Sequence, residues 1–213
     1  MENGRNKIAI IGGTGKVGRY IVKQALAEGY SVRMLARNPD RVTISDERLE
    51  VVKGDAQDSK AVSAALQDCD VVINAFGQPN REKFPIYSEL TRLIISLMKE
   101  AGIRRYIGIT GASLNAPGDR KSTGNRIGAA IFRLLYPAMM EDKRKELNIL
   151  QNSHVDWTLL RLPFVIEGPA INEVKVNELD MPGMKMRSAD ISAFIVKQIA
   201  DSRFIRKYPF ISN

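Results

Sequence analysis

The sequence predicts an α/β protein with a doubly wound parallel β-sheet and helices on both of its faces. Short apolar runs alternate with longer amphipathic runs, and glycines follow several of the amphipathic runs. The apolar runs are continuous, which is typical of strands that are buried on both faces of a parallel sheet. Alternation of strands and helices favours right-handed βαβ crossovers and therefore one parallel sheet. We expect residues 1–213 to form one domain.

The first quarter of the chain carries three of the predicted strands. Lys7–Ile11 is a short apolar run, and the amphipathic stretch Val17–Glu28 after it is a helix that ends at Gly29. Ser31–Leu35 and Leu49–Lys53 are two further apolar runs of strand length. The next elements are the helix Ser59–Leu66, the strand Val71–Ala75 and the helix Ser88–Ala101, which ends at Gly102.

The second half of the chain has fewer regular signals. Tyr106–Thr110 and Trp157–Leu162 are apolar runs that we interpret as the fifth and sixth strands. An amphipathic pattern predicts a helix over about Met140–Asn152 between them, and another predicts a final helix over Ala189–Ala200. Tyr208–Ile211 is the right length for a last short strand.

Long segments without a periodic pattern separate some of these elements. In a compact domain such segments often serve as lids or substrate loops, and plain surface loops are the alternative. We therefore expect substrate loops inserted in the C-terminal half of the domain. The weakly patterned segments are Gln78–Tyr87, Ser113–Arg126 and Glu167–Arg187.

The composition excludes several classes of protein. Cys69 is the single cysteine, so an intrachain disulfide framework is impossible, and no Cys, His and carboxylate spacing predicts a metal site. No apolar stretch reaches the length of about 18 residues that a membrane span needs, and the N-terminus lacks a signal peptide, so we expect a cytoplasmic protein without a membrane partner. The net charge is +8, but cations and acids are mixed along the chain, so no nucleic-acid partner is expected.

A glycine-rich turn lies between the first predicted strand and the first predicted helix. Glycines allow a sharp turn, a close backbone approach to a diphosphate and close helix–strand packing, and the helix N-terminus attracts the anion. This strand–turn–helix context makes the motif a specific signal for dinucleotide binding, with a purely structural turn as the alternative. The predicted contacts in the turn are Gly12, Thr14, Gly15, Lys16, Val17 and Gly18.

The end of the second strand predicts which dinucleotide is preferred. An NAD site usually has a carboxylate there for the ribose 2′-hydroxyl, whereas this sequence has Arg37. A guanidinium pairs with the 2′-phosphate of NADP, which a carboxylate would repel. We therefore predict NADP(H) as the cofactor, with NAD(H) less favoured; an exposed arginine without a ligand is the alternative.

With these motifs in place, the whole chain resembles the atypical short-chain dehydrogenase/reductase families, which have the Rossmann fold. It is most similar to their NAD(P)H-binding, biliverdin reductase B/flavin reductase-like group, next to the NmrA-like proteins. The resemblance rests on the glycine turn and Arg37 and on several short motifs in the family order. These motifs are Gly54-Asp55, Asp70-Val71-Val72, Asn74-Ala75, Arg105-Tyr106-Ile107, Asp142-Lys143 and Asp156-Trp157-Thr158 running to Arg161.

The resemblance implies further cofactor contacts, all of which follow predicted strands. Asp55 and Ala56 would hold the adenine; for Asp55 a turn or helix-capping role without a ligand is the alternative. The ribose and diphosphate side would be lined by Asn74, Ala75, Phe76 and Gly77. For Asn74 a strand-end hydrogen bond without a ligand is the alternative. Pro163 and Phe164 would flank the nicotinamide.

The sequence departs from the family pattern at the catalytic position. Many short-chain dehydrogenases have a tyrosine acid four residues before a lysine that holds the nicotinamide ribose. Lys143 occupies the lysine position, but Met139 stands four residues before it, and the nearest tyrosine is Tyr136. The serine expected at the end of the fifth strand is displaced, which leaves Thr110 and Ser113 as candidates beside Lys143 for the catalytic group.

The missing acid limits the chemistry that we expect. Reduction of a simple ketone yields a basic alkoxide, for which a positioned acid contributes about 10²–10⁴ in rate. A flavin or quinone accepts hydride and leaves a weakly basic anion. We therefore expect a small-molecule acceptor of the flavin or quinone type, reduced by NADPH in a monomer or a homodimer. The alternatives are a non-catalytic NmrA-like redox sensor and an isomerase or epimerase with retained cofactor.

Overall fold

A computed structural model of the protein describes residues 7–77 and 86–213. These residues form ten strands and six α-helices, with a short 3-10 helix at Pro39–Arg41. The strands are β1 (Lys7–Ile11), β2 (Ser31–Ala36), β3 (Leu49–Lys53), β4 (Val71–Asn74), β5 (Arg105–Gly111), β6 (Asp156–Leu162), β7 (Phe164–Ile166), β8 (Lys175–Asn177), β9 (Lys185–Arg187) and β10 (Phe210–Ser212). The helices are α1 (Gly18–Ala27), α2 (Ser59–Leu66), α3 (Tyr87–Glu100), α4 (Thr123–Leu135), α5 (Pro137–Gln151) and α6 (Ser188–Lys197).

Eight strands form the main sheet in the order β3-β2-β1-β4-β5-β6-β10-β8. Every neighbouring pair is parallel except β10 and β8, and β7 pairs with β9 in a separate two-stranded sheet. The order reverses between β1 and β4, and a crevice beyond the carboxyl ends of the strands is expected at such a switch point. The predicted fold class, a doubly wound Rossmann fold, is confirmed.

The core lies on both faces of this sheet because its central strands are apolar at consecutive positions. In β1, Ile8 and Ile10 belong to one buried cluster, whereas Ala9 and Ile11 belong to the other. Helices α1 and α6 pack together on the first cluster, and α2, α3 and α5 pack on the second. Buried residues therefore fix the strand ends from both sides.

The C-terminal half corrects several expectations. Helix α4 starts inside the segment Ser113–Arg126, for which the sequence predicted a loop, and α5 begins at Pro137 instead of Met140. The segment Glu167–Arg187 contains β8 and β9, and the last strand is Phe210–Ser212. Helix α4 was missed because its glycines and the proline that follows it weaken the helical signal.

Within residues 7–77 and 86–213, no helix has both the length and the apolar character that crossing a bilayer requires. In the same residues no group of His, Cys, Asp or Glu side chains could hold a metal ion. The predicted loop Gln78–Tyr87 lies outside the described residues over 78–85, and Tyr87 is the first residue of α3.

Candidate functional site

The glycine turn after β1 leaves no space for side chains. Gly12 has a positive φ of 80°, and a Cβ there would lie 2.6 Å from the carbonyl oxygen of Ala75 at the end of β4. A Cβ on Gly18 would collide with the carbonyl of Gly12. The N–H of Gly15 donates to the Gly12 carbonyl over 3.0 Å, which closes the turn. Backbone therefore forms the surface of the crevice at the start of α1.

The beginning of α1 is held to the segment that follows β6. No side chain caps the helix at Val17. The Nζ atom of Lys16 donates to the carbonyl of Val165 over 2.9 Å, and Arg19 forms an ion pair with Glu167. These contacts link the glycine turn to the chain region in which Pro163 and Phe164 were predicted to flank the nicotinamide.

A cleft of about 380 Å³ lies over the glycine turn and the ends of the neighbouring strands. Arg37 follows β2 and Asp55 follows β3, and their side chains approach to 3.9 Å between Nε and Oδ2. Both side chains are more than 40% exposed, so an anionic ligand could reach the guanidinium. The cleft is lined by Ile11, Gly12, Thr14, Gly15, Lys16, Val17, Leu35, Arg37, Gly54, Asp55, Ala56, Ala75, Phe76, Gly77 and Ile109.

Five residues that the sequence predicted as cofactor contacts are not among those that line the cleft. Lys143, Pro163 and Phe164 line a second, neighbouring cavity, whereas Gly18 and Asn74 line neither. Gly18 packs against the backbone of Gly12. Asn74 is buried, its Nδ2 donates to the hydroxyl of Tyr106 over 2.9 Å, and its Oδ1 accepts from the N–H of Phe76 over 3.1 Å. These two hydrogen bonds join the end of β4 to Tyr106 of β5 and to the backbone of Phe76.

A second cavity, of about 570 Å³, follows the cleft along β5. Ile109 lines the cleft, and Gly111, two residues further on, lines the cavity. Pro163 and Phe164 lie in the cavity wall, as does Met139. The full lining is Gly111, Ala112, Ser113, Lys121, Ser122, Gly124, Asn125, Gly128, Ala129, Phe132, Met139, Lys143, Leu162, Pro163, Phe164, Met181 and Met184.

Two of the three predicted catalytic candidates, Ser113 and Lys143, line this cavity, and the third, Thr110, contacts Lys143. The Nζ atom of Lys143 donates to Oγ1 of the buried Thr110 over 3.3 Å. The Ser113 hydroxyl is 3.5 Å from the sulfur of Met140. A Cβ built on Gly111 would lie 3.5 Å from Oγ of Ser113 and 3.9 Å from Nζ of Lys143, so these two polar groups flank the same backbone.

Within residues 7–77 and 86–213, no tyrosine is among those that line the cavity beside Lys143. Tyr136 links α4 to α5, is half exposed and packs against Phe132 with 4.9 Å between ring centroids. The tyrosine that does contact Lys143 is Tyr87, whose ring centroid lies 4.7 Å from Nζ. The ammonium therefore faces the ring of a tyrosine that belongs to another helix.

A buried charged cluster on α5 surrounds Lys143. Asp142 caps α3, because its carboxylate accepts from the N–H groups of Ile86 and Tyr87 over 2.8 Å and from the hydroxyl of Ser88 over 2.5 Å. Burial lowers the pKa of Lys143, an effect that the charges of Glu146 and Asp142 oppose. Burial raises the pKa of Glu146 to about 7, although the charge of Lys143 opposes this.

Glu146 gives the protein a pH-dependent stability. Its ordinary pKa is 4.5, so between that value and about 7 the folded state binds the proton more tightly than the unfolded state. Stability therefore falls as pH rises through this window. Between about pH 4 and about pH 8, we expect the free energy of unfolding of the wild-type protein to fall by about 2 to 3 kcal/mol relative to that of Glu146→Gln.

Urea denaturation of both proteins across this range measures the difference. The matched control is Glu47→Gln, which changes an exposed glutamate. Parallel pH profiles for wild-type and Glu146→Gln would show that burial of Glu146 has no such effect.

Sequence reasoning missed Tyr87 and Glu146. Tyr87 reaches Lys143 from the start of α3, and nothing in the spacing of residues 87 and 143 indicates that contact. Glu146 lies one helical turn after Lys143 on α5, so an i, i+3 pairing on the predicted helix was the available signal. Its complete burial is visible only in the packed structure.

Comparisons with known proteins agree with this geometry. The sequence pattern of the NAD(P)H-binding family matches residues 12–202. The uncharacterized protein YwnB of Bacillus subtilis is 28% identical over 155 residues, which cover 72% of this chain and 70% of YwnB. A short-chain dehydrogenase/reductase from Veillonella parvula, crystallised in complex with NADP, has a TM-score of 0.78 and 18% identity over 98% of this chain and 94% of its own. ChuY, an anaerobillin reductase from Escherichia coli O157:H7, has a TM-score of 0.78 and 22% identity over 97% of this chain and 96% of its own.

The two solved structures share the fold with this chain. The predicted resemblance to an NAD(P)H-binding family is confirmed by the match to the family pattern. The match to the family pattern begins in the glycine turn and ends five residues after α6. The protein belongs to the NAD(P)H-binding family.

Proposed function

We propose that this protein uses NADPH to reduce a flat, conjugated acceptor of the flavin or quinone type. One observation carries the proposal. A largely apolar cavity follows the dinucleotide cleft along β5, with Lys143 in its wall and a thioether, Met139, where the tyrosine acid of related enzymes would stand. The cavity has room for an acceptor, and Lys143 supplies a positive charge in its wall. Its described lining residues do not include the tyrosine acid that reduction of a simple ketone requires.

The residues of the cleft fit a dinucleotide. Gly12 and Gly15 expose backbone where a diphosphate would approach, and the uncapped start of α1 favours an anion. Arg37 would pair with a 2′-phosphate, which supports NADP(H) over NAD(H). Bound there, the reduced dinucleotide supplies a hydride. Lys143, through its position beside Thr110, would hold the nicotinamide ribose.

The acceptor cavity suits a broad planar molecule. Gly124, Gly128 and Ala129 are among the α4 residues that line it, and their small size leaves room for a broad ligand on that side. Met139, Met181 and Met184 lie among the remaining lining residues, and flexible thioethers adapt to variable apolar ligands. Phe164 is 65% exposed at the cavity, so it could stack on an aromatic ring that enters.

Lys143 would stabilise the negative charge that forms on the acceptor. A flavin or quinone that receives a hydride becomes an anion, and an ammonium in a partly dehydrated site stabilises such charge more than it would in water. The hydrogen bond to Thr110 and the ring of Tyr87 orient Nζ for that role. The Ser113 hydroxyl, at the other side of Gly111, could donate a hydrogen bond to the same acceptor atom.

The experiment is steady-state oxidation of NADPH with FMN, FAD, a soluble quinone and a simple ketone. We expect turnover with at least one flavin or quinone and none with the ketone. Gly128→Leu should lower kcat/KM for the acceptor at least about tenfold, because the new side chain enters the cavity, while NADPH affinity stays unchanged.

The matched control is Thr123→Leu, an exposed position on the same helix that does not line the cavity. A protein that binds NADPH but does not accelerate its oxidation by any of these acceptors would contradict the reductase. That result would favour the non-catalytic sensor.

A further inference from the structure

Helix α4 presents a row of large apolar side chains to solvent. Its only fully buried residue is Ala129. Leu134 is 79% exposed and Leu135 is 65% exposed, and Ile127 and Ile131 are both more than half exposed. The spacing of positions 127, 131, 134 and 135 places these four side chains on one face of the helix. We call these four residues the α4 apolar face.

This face is unusual for a helix of a water-exposed surface. Exposed apolar side chains occur singly on most proteins, whereas a contiguous apolar patch marks a site of interaction. The patch continues beyond the helix, because Phe164 and Met184 at the neighbouring cavity are also more than half exposed. Something apolar is therefore expected to cover it.

The cationic side chains next to the α4 apolar face indicate which kind of partner would cover it. Helix α4 itself carries two cations, Arg126 and Arg133, and no acid, and the protein as a whole has a net charge of +8. The carboxylate of Asp180 contacts only the start of the helix, where it accepts from Ser122 and Asn125. Arg126 and Arg133 are exposed and lie seven residues apart, on the same side of the helix. An exposed apolar face bordered by arginines is the pattern of a helix that lies in the plane of a membrane surface.

We propose that the α4 apolar face docks onto an anionic lipid bilayer, with Ile127, Ile131, Leu134 and Leu135 entering the acyl boundary and Arg126 and Arg133 paired with lipid phosphates. A second copy of this chain fits less well, because pairing two α4 helices would bring four arginines together without a compensating acid on that helix. The proposed membrane contact differs from the sequence-based expectation of no membrane partner, and it rests on the exposure of α4, which is visible only in the fold.

The docked orientation has a consequence for the neighbouring cavity. Gly124, Gly128 and Phe132 of α4 line the acceptor cavity, on the side of the helix next to the apolar face. A bilayer against α4 would lie at the mouth of that cavity. An acceptor dissolved in lipid could then enter without crossing water. The docking itself does not depend on the identity of the acceptor or on turnover.

Flotation with vesicles tests the proposal. We expect the wild-type protein to float with vesicles that contain phosphatidylglycerol, less with vesicles of phosphatidylcholine alone, and less at high salt. The double variant Ile131→Glu/Leu134→Glu should partition about a hundredfold more weakly. Arg126→Gln/Arg133→Gln should weaken binding to the anionic vesicles about thirtyfold and leave binding to neutral vesicles unchanged.

Ile171→Glu is the matched control, because Ile171 is an exposed apolar residue outside α4, and we expect it to float as wild-type does. NADPH binding and the thermal unfolding midpoint of every variant establish that the fold is intact. Two results would overturn the proposal. One is wild-type protein that does not float, and the other is a dimer in light scattering that Ile131→Glu/Leu134→Glu dissociates without any vesicle binding.

Discussion

Replacing Gly15 with valine should remove detectable binding of NADPH and NADH, a loss of at least about a thousandfold. Gly15 is exposed and lines the cleft at the turn that precedes α1. A valine there would cover the backbone that a diphosphate must approach closely. A Cβ at this position would lie 3.2 Å from the Gly12 carbonyl, so the fold should accept it with a small loss of stability.

Titration followed by NADPH fluorescence measures the effect, with thermal unfolding as the check on folding. Gly124→Val is the matched control, since Gly124 is an exposed glycine at the start of α4 and no atom lies within 4 Å of a Cβ placed there. If a folded Gly15→Val protein bound NADPH like wild-type, the diphosphate would have to lie somewhere other than the glycine turn.

Replacing Arg37 with glutamate should weaken NADPH binding between about a hundredfold and a thousandfold and leave NADH binding nearly unchanged. A charge-assisted hydrogen bond to a phosphate contributes about 1.5 to 3 kcal/mol, and the new carboxylate would add repulsion of the 2′-phosphate. NADH has only a hydroxyl at that position, so it loses little. The preference between the two dinucleotides should therefore reverse.

Arg41→Glu is the control for the change in net charge. Arg41 is exposed in the 3-10 helix Pro39–Arg41, four residues after Arg37, and does not line the cleft. The affinity of the Arg41→Glu variant for both dinucleotides should match that of wild-type within about twofold at physiological ionic strength, where exposed charges are screened. Equal weakening of NADPH and NADH by Arg37→Glu would mean that Arg37 does not select the 2′-phosphate.

The first half of the fold could be predicted from the sequence because local and global signals agree there. The apolar run of β1 indicates a strand, the glycines after it indicate a turn, and Gly29 marks the end of α1. Together these signals specify a βαβ unit. Candidate cofactor residues were predicted because they follow strands whose carboxyl ends meet at one edge of a parallel sheet.

The acceptor side could not be predicted in the same way. Helix α4 carries Gly124 and Gly128, which lower helix propensity, and its apolar face is not buried against the core. Strands β7 and β9 are three residues long and pair with each other outside the main sheet. Tyr87 and Lys143 are brought together by the packing of α3 on α5, a contact between residues 56 positions apart that no local pattern encodes.

The central claim is that the crevice at the start of α1 binds a dinucleotide and that Arg37 makes this site selective for NADPH. Isothermal titration calorimetry of the folded protein with NADPH and with NADH tests it most directly. We expect saturable heat with one nucleotide per chain and an affinity for NADPH at least about tenfold higher than for NADH. A folded sample that gives no heat with either dinucleotide, and no competition between them, would contradict it.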